Sequence, residues 1–113
     1  MIKIYGIPNC DTMKKAMKWL NENNIPFEFH DYKKWGVPED ELKKWVKNAG
    51  WESVLNKRSR TWKSLSDEAK SGLGEFAAIN IMMENPSSIK RPVLIDGNKM
   101  ILGFKDSEYQ SLL

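Results

Sequence analysis

The single cysteine of the chain, Cys10, is the residue best suited to nucleophilic chemistry. It lies in the polar stretch Asn9-Cys10-Asp11-Thr12, directly before a segment with helical periodicity. At the start of a helix, unpaired backbone N–H groups and the positive end of the helix dipole both stabilise an anion. The position therefore favours a thiolate and predicts a pKa for Cys10 below the unperturbed value of about 8.5. The alternative is a small buried apolar residue, which the polar neighbours disfavour.

One cysteine and one histidine limit the chemistry that the chain can support. Any disulfide formed by Cys10 must be intermolecular, because no second cysteine is present. A structural zinc site takes about four cysteine or histidine ligands, so we expect no metal site and no bound cofactor. His30 is alone on a predicted strand, where a histidine more often packs or forms hydrogen bonds than acts as a base.

Arginine is scarce in a chain whose usual cation is lysine. Of the 18 basic residues only Arg58, Arg60 and Arg91 are arginines. A guanidinium fork suits planar anions, and we predict that Arg58 and Arg91 bind an anionic substrate. Ion pairs with acidic residues of the helices are the open alternative, and Arg60 is interpreted as a surface residue. Trp62, beside this basic segment, is interpreted as a packing residue, with pocket lining as the alternative.

A β-α-β unit is predicted to position Cys10. Ile2–Tyr5 is rich in β-branched and aromatic residues and ends at Gly6, as a strand before a loop does. A helix follows, because apolar residues recur there at helical spacing: Met13, Ala16, Met17 and Leu20. Phe27 and Phe29 alternate with polar residues and predict a second strand, parallel to the first and joined to it by a right-handed crossover.

The middle of the chain is predicted to be helical. One helix begins at Pro38 and ends before Gly50, with acids in its first turn and lysines later. Residues 56–64 are polar and basic and predict a loop. The segment Phe76–Met83 is apolar on nearly every side, which predicts a helix that is buried over most of its circumference.

The end of the chain returns to strands. Pro92–Ile95 and Met100–Leu102 flank an Asp96-Gly97 pair that predicts a hairpin. A short terminal helix follows, and its inner side is predicted to consist of Tyr109, Leu112 and Leu113. The order β-α-β, helical block, β-β-α is the thioredoxin arrangement, an α/β fold with a mixed four-stranded sheet and a helical insertion between its halves. We predict a single domain, with residues 1–32 and 91–113 forming the sheet core and residues from about 38 to 86 forming the insertion.

Composition excludes several functional classes. The net charge of +3 and the pI near 9.0 come from charges spread over amphipathic segments, without a basic run interleaved with aromatics, so no direct nucleic-acid binding is expected. No apolar run approaches the roughly 20 residues of a membrane span. The N-terminus lacks the apolar stretch and cleavage site of a signal peptide. We expect a soluble, cytoplasmic and monomeric protein.

A series of motifs extends over essentially the whole chain. Residues 5–12 read Tyr-Gly-Ile-Pro-Asn-Cys-Asp-Thr and are followed by Lys14-Lys15-Ala16. The further motifs are Phe29-His30-Asp31-Tyr32, Gly50-Trp51, Leu55-Asn56-Lys57-Arg58, Thr61-Trp62, Ile89-Lys90-Arg91-Pro92-Val93-Leu94 and Gly103-Phe104. Together they resemble the ArsC/Spx family of arsenate-reductase-like proteins, and the pattern around Cys10 resembles the monocysteine YffB-type branch of that family.

The resemblance implies both a fold and a set of functional residues. It implies a thioredoxin fold split by a helical insertion, with Cys10 as the nucleophile. Arg58 and Arg91 match the anion-binding arginines of the family, Pro92 matches its cis-proline, and Asn9 is expected to contact substrate. YffB-type proteins are suggested to be glutathione-dependent thiol reductases, so glutathione is the expected co-substrate.

The sequence departs from the family pattern at two positions. Arsenate reductases of the family carry a third arginine after the last strand, where this chain has Lys105. Lysine lacks the planar fork of arginine and is a poor replacement in an oxyanion site. Spx-type regulators often have a Cys-x-x-Cys pair, and Met13 occupies the second position here, which excludes an internal dithiol.

Three functions remain as hypotheses. The leading one is a monothiol oxidoreductase in which Cys10 attacks an oxidised sulfur and an external thiol, expected to be glutathione, resolves the adduct. The second is a regulatory module of the Spx type that docks to a protein partner without turnover. Arsenate reduction ranks third.

Overall fold

The computed structural model describes every residue from Met1 to Leu113, and its strands form one four-stranded sheet. The strands are β1 (Ile2–Gly6), β2 (Phe27–Asp31), β3 (Val93–Asp96) and β4 (Lys99–Leu102). Their order across the sheet is β2-β1-β3-β4. β1 is parallel to β2 and antiparallel to β3, and β3 is antiparallel to β4. The predicted mixed sheet of the thioredoxin arrangement is confirmed.

The helices of the chain are mostly short. In chain order they are α1 (Asp11–Glu22), α2 (Tyr32–Trp35), α3 (Glu39–Ala49), α4 (Trp51–Val54), α5 (Arg60–Ser64), α6 (Asp67–Ser71), α7 (Glu75–Glu84) and α8 (Asp106–Tyr109). Two 3₁₀ turns complete the list, Pro86–Ser88 and Gln110–Leu112. No helix has both the length and the apolar character that crossing a membrane requires.

Two compact units make up the chain. The first contains Met1–Trp35 and Arg91–Leu113, and therefore the whole sheet together with α1, α2 and α8. The second is Gly36–Lys90 and contains α3 to α7. The prediction that the chain forms a single domain stays a prediction.

The core of the first unit lies between β1 and α1. Its buried residues come from the sheet, from α1 and from α8: Ile2, Ile4, Met13, Ala16, Leu20, Leu94, Ile101 and Tyr109. Residues two apart on a strand share a face, and residues three or four apart on a helix do so, so Ile2 and Ile4 meet the predicted apolar face of α1. This packing fixes the start of α1 beside the end of β1.

The turn between β3 and β4 is the predicted hairpin. Asp96 pairs with Lys99, and Gly97 has a φ of +60°. Glycine adopts this left-handed conformation without the steric cost that a Cβ would impose. The hairpin brings β4 to the edge of the sheet.

Three sequence-based predictions are corrected by the structure. Residues 56–64 are not all loop, because α5 begins at Arg60, where the Ser59 hydroxyl accepts the N–H of Trp62 as an N-cap. In α7 only Ala78 and Met82 are buried and Phe76 is 80% exposed, since a helix that packs through one stripe leaves its other faces in solvent however apolar they are. Leu113 is exposed, whereas Tyr109 is fully buried.

Gly6 provides a test of how closely α1 approaches the end of β1. A Cβ at Gly6 would collide with the Sδ and Cε atoms of Met13, which is itself fully buried. We expect Gly6→Ala to lower the free energy of unfolding by about 1–3 kcal/mol, the usual cost of overpacking. Urea denaturation followed by circular dichroism measures this change.

Gly72→Ala is the matched control for Gly6→Ala. Its Cβ would meet only the Glu68 carbonyl oxygen at an ordinary 3.7 Å. We expect no loss of stability there, and a gain of up to about 1 kcal/mol, because alanine restricts the unfolded chain. An unchanged unfolding free energy for Gly6→Ala would contradict the close approach of α1.

Candidate active site around Cys10

Cys10 occupies the N-cap position of α1. Its backbone is extended, with φ −138° and ψ 127°, and its carbonyl oxygen accepts the N–H of Lys14 at 3.0 Å. The side chain is partly buried and forms no disulfide. No short capping bond reaches the sulfur, yet the backbone N–H groups of Thr12 and Met13 act on it. These are the second and third N–H groups of the helix, which an N-cap side chain usually satisfies.

The ionisation of Cys10 reflects a competition between burial and hydrogen bonding. Burial is the largest single influence and by itself raises the pKa of the thiol. The N–H of Met13, the side chain of Arg91 and the N–H of Thr12 each lower the pKa, and the charge of Arg91 lowers it further. Together these groups hold the pKa of Cys10 below its ordinary value. A thiolate is the nucleophilic form of cysteine, so the lowered pKa favours thiol chemistry at this site.

Arg91 and Pro92 reach the cysteine from β3. The peptide bond between them is cis, as the resemblance implied. Pro92 is buried and its carbonyl oxygen accepts the N–H of Gly103 at 2.8 Å. Val93 then pairs with Tyr5 across the sheet. These contacts hold the backbone of Arg91 where its side chain can donate to the Cys10 sulfur.

The topology of the sheet explains why these residues meet. β1 and β2 are parallel, so their carboxyl ends lie at the same edge, and β3 runs antiparallel to β1, so its amino end lies there too. The loop with Asn9 and Cys10 follows β1, Tyr32 follows β2, and Arg91 precedes β3. Asn9 is exposed in that loop, and its contact with substrate stays a prediction.

Arg58 belongs to the second unit, and its role stays a prediction. Its backbone N–H donates to the Asn56 side-chain oxygen at 3.0 Å, which holds the turn before α5. The residue is exposed, and its side chain takes part in none of the ion pairs, all of which use lysine. That observation argues against the alternative in which Arg58 forms an ion pair with an acidic residue of a helix. Arg60 is exposed, in agreement with its interpretation as a surface residue.

His30 and Trp62 have aromatic surroundings. The ring of His30 packs against Tyr5 at 5.2 Å and Trp35 at 5.8 Å between centroids, which agrees with the predicted packing role. Trp62 lies 6.4 Å from Trp51, and both line a cavity of about 490 Å³ in the second unit. Trp62 therefore lines a pocket, which was the alternative interpretation of this residue. All residues that line the pocket belong to the second unit.

Two further observations bear on the predicted site. Lys105 is exposed and caps α8, where its carbonyl oxygen accepts the N–H groups of Glu108 and Tyr109. No group of three or more histidine, cysteine, aspartate or glutamate side chains is placed to hold a metal ion.

Sequence reasoning missed Tyr32. The residue is 3% exposed, and its ionisation responds to the charge of Arg91. The missing signal was topological, since a residue directly after a strand parallel to β1 must lie at the edge that carries Cys10. Composition and periodicity do not reveal this, because they describe each element separately.

We expect the alkylation of Cys10 by iodoacetamide to show a pH midpoint below about 8.5, the value of an unperturbed thiol. Arg91→Gln removes a donor and a positive charge from the sulfur, so the midpoint should rise. Arg60→Gln removes an exposed guanidinium elsewhere and should leave the midpoint unchanged. Rates measured from pH 4 to 10 give all three midpoints, and an unshifted midpoint in Arg91→Gln would rule out the contact.

Comparison with known proteins places this geometry in a family. The model of the ArsC family matches residues 5–112. An uncharacterized protein of Haemophilus influenzae is 42% identical over 98% of this chain and 97% of its own length. The solved structure of a YFFB protein is also 42% identical, covers 98% of this chain and 97% of that one, and superposes with a TM-score of 0.92. The global transcriptional regulator Spx of Streptococcus mutans is 29% identical over the whole of this chain, which spans 83% of that protein.

Proposed function

The chain belongs to the ArsC family, and from that premise we propose that it is a monothiol oxidoreductase whose nucleophile is the Cys10 thiolate. The observation that carries the proposal is the arrangement of donors around one sulfur. Met13, Thr12 and Arg91 together outweigh the burial that would keep Cys10 protonated. A cysteine kept only for packing needs none of these donors.

The proposed reaction has two thiol–disulfide exchange steps. The Cys10 thiolate attacks one sulfur of a disulfide, a Cys10–S–S–R bond forms, the original S–S bond breaks, and R–S⁻ leaves with the electron pair. An external thiolate then attacks the adduct, forms a new disulfide with R, and releases the Cys10 thiolate. The second reactant must come from outside, because the chain has no other cysteine.

Glutathione is the proposed external thiol, on the strength of the family resemblance. It carries two carboxylates, and a guanidinium binds a carboxylate through two parallel hydrogen bonds. Arg91 already lowers the pKa of Cys10, which supports a role in holding an anionic thiol near the sulfur. Arg58 is included in the proposal for two reasons. It matches an anion-binding arginine of the family, and its side chain takes part in none of the ion pairs.

The proposal predicts a mixed disulfide between Cys10 and glutathione. Incubation with oxidised glutathione should add one glutathione, a mass gain of roughly 305 Da, by ordinary exchange chemistry. Cys10→Ser should stay unmodified. Arg58→Ala should slow the reaction by up to about fivefold, because an exposed ion pair contributes about 0.2–1 kcal/mol.

Dividing the rate of adduct formation by the rate of alkylation with iodoacetamide separates the recognition of glutathione from the reactivity of the sulfur. Arg91→Ala changes the thiolate itself, so its adduct rate is compared with its alkylation rate at the same pH. A fall in this ratio reports lost recognition of the anion. A wild-type protein that remains folded and alkylatable, yet gains no mass in excess oxidised glutathione, would refute the proposal.

A regulatory module is the second candidate. The similarity to Spx, which extends over the whole of this chain, is the observation that favours it. In such a module Cys10 would act as a redox sensor or would have no role, and the chain would dock to a protein partner. Failure of the glutathione reaction in a folded protein is the result that supports this candidate.

Arsenate reduction is the third and weakest candidate. The ArsC family gives it a basis, but Lys105 stands where arsenate reductases of the family carry a third arginine. A point cation does not reproduce a bidentate oxyanion contact. We therefore propose that any reduction of arsenate by this chain is weak.

A further inference from the structure

A cavity of about 490 Å³ in the second unit is not used by the thiol chemistry proposed above. Three short helices contribute to it, because α4 supplies Trp51, α5 supplies Trp62 and α6 supplies Lys70. Lys57 joins them from the turn between α4 and α5. Cavities that bind small molecules usually measure about 300–1,000 Å³, so this one has the volume of a ligand site.

Two indole rings form the aromatic part of the cavity. The ring centroids of Trp51 and Trp62 are 6.4 Å apart, and the ring planes are tilted by 43°. Both residues are only partly buried, so part of each remains accessible to a ligand. An indole ring offers a large apolar area and an electron-rich face, which suit contact with another aromatic ring.

Two ammonium groups lie close to the Trp62 ring. The Nζ atom of Lys70 is 5.2 Å from the ring centroid and that of Lys57 is 5.5 Å from it, both within the range of a cation–π contact. Lys57 is also paired with Glu52 at 3.4 Å, whereas Lys70 takes part in none of the ion pairs. The cavity therefore presents an ammonium group without a carboxylate partner beside an aromatic ring.

Asp67 shows that the position of Lys70 is not set by a neighbouring acid. It also lines the cavity and lies three residues before Lys70 on α6, a spacing that allows an ion pair on a helix surface. The structure nevertheless places the Lys70 ammonium group over Trp62 and not in a pair with Asp67. Its positive charge is thus directed at the aromatic part of the cavity.

We propose that this cavity binds a small aromatic anion, such as an aromatic carboxylate or sulfonate. The ring of the ligand packs against the indoles of Trp51 and Trp62, and its acid group pairs with the ammonium group of Lys70, while Lys57 adds a second positive charge. A cationic ligand is disfavoured, because two ammonium groups already lie at the Trp62 ring and repel it. The inference goes beyond the proposed thiol chemistry and does not rest on it.

A fluorescent aromatic anion tests the site without any natural ligand. The probe is 8-anilinonaphthalene-1-sulfonate, whose fluorescence increases when it binds to apolar surface. We expect saturable binding of one probe molecule per chain. N-phenyl-1-naphthylamine has the same rings without the sulfonate, and it should bind more weakly because it cannot pair with Lys70.

Variants of the cavity separate the contribution of charge from that of the ring. Lys70→Gln should weaken binding of the probe by up to about fivefold, the range of one exposed ion pair, and Lys70→Arg should retain it because the charge remains. Trp62→Leu should weaken binding by roughly two- to tenfold, the range of one aromatic pair. Lys70→Gln changes a surface side chain, so it tests the site even where Trp62→Leu fails to fold. Asp67→Asn removes a negative charge from the cavity and should strengthen binding.

A second lysine–tryptophan pair of the chain provides the matched control. The Nζ atom of Lys34 is 6.0 Å from the ring centroid of Trp35, which is 66% exposed in the first unit. Lys34→Gln removes the same charge as Lys70→Gln, and Trp35→Leu removes the same ring as Trp62→Leu. Both variants should leave the affinity for the probe unchanged.

Several results would overturn the inference. They are binding that does not saturate, equal binding of the probe and its uncharged analogue, weaker binding in Asp67→Asn, and a loss of affinity in Lys34→Gln as large as that in Lys70→Gln. Cys10→Ser should bind the probe as the wild type does. Failure of the glutathione reaction would therefore refute the proposed function alone.

Discussion

The interaction of the Arg91 guanidinium with the Cys10 sulfur is the one on which the proposed chemistry of this protein depends. A helix dipole at a surface N-terminus contributes about 0.3–1 kcal/mol, less than one pKa unit, and burial of the thiol acts in the opposite direction. The lowered pKa of Cys10 therefore also requires the groups that act directly on the sulfur. Arg91 is the one among them that brings a full charge as well as a hydrogen bond.

That contact constrains the rest of the first unit. Arg91 reaches the sulfur because β3 begins beside the end of β1, and Val93 pairs with Tyr5 to set this register. Cys10 caps α1 because the buried apolar face of α1 packs on Ile2 and Ile4. A shift of one residue in either register would turn the wrong side chains toward the core, so the packing of the core and the geometry of the site are specified together.

The presence of a single cysteine limits the reactions that the site can complete by itself. Without a second thiol in the chain, each cycle of the proposed reaction needs a partner that brings its own sulfur. In that reaction the half-buried Arg91 would stabilise the attacking thiolate, since it lowers the pKa of Cys10.

The sequence by itself determined the local elements and identified Cys10 as the candidate nucleophile. The alternation in β1, the apolar spacing in α1 and the Asp96-Gly97 pair are short-range signals, and each produced the element that it predicts. The family motifs added the cis bond before Pro92. Only the tertiary structure shows that Arg91 acts on the Cys10 sulfur, because the two residues are 81 positions apart in the sequence and meet through the strand order. It also decided the exposure of α7, since the number of sides on which a helix is covered depends on its neighbours and not on its own composition.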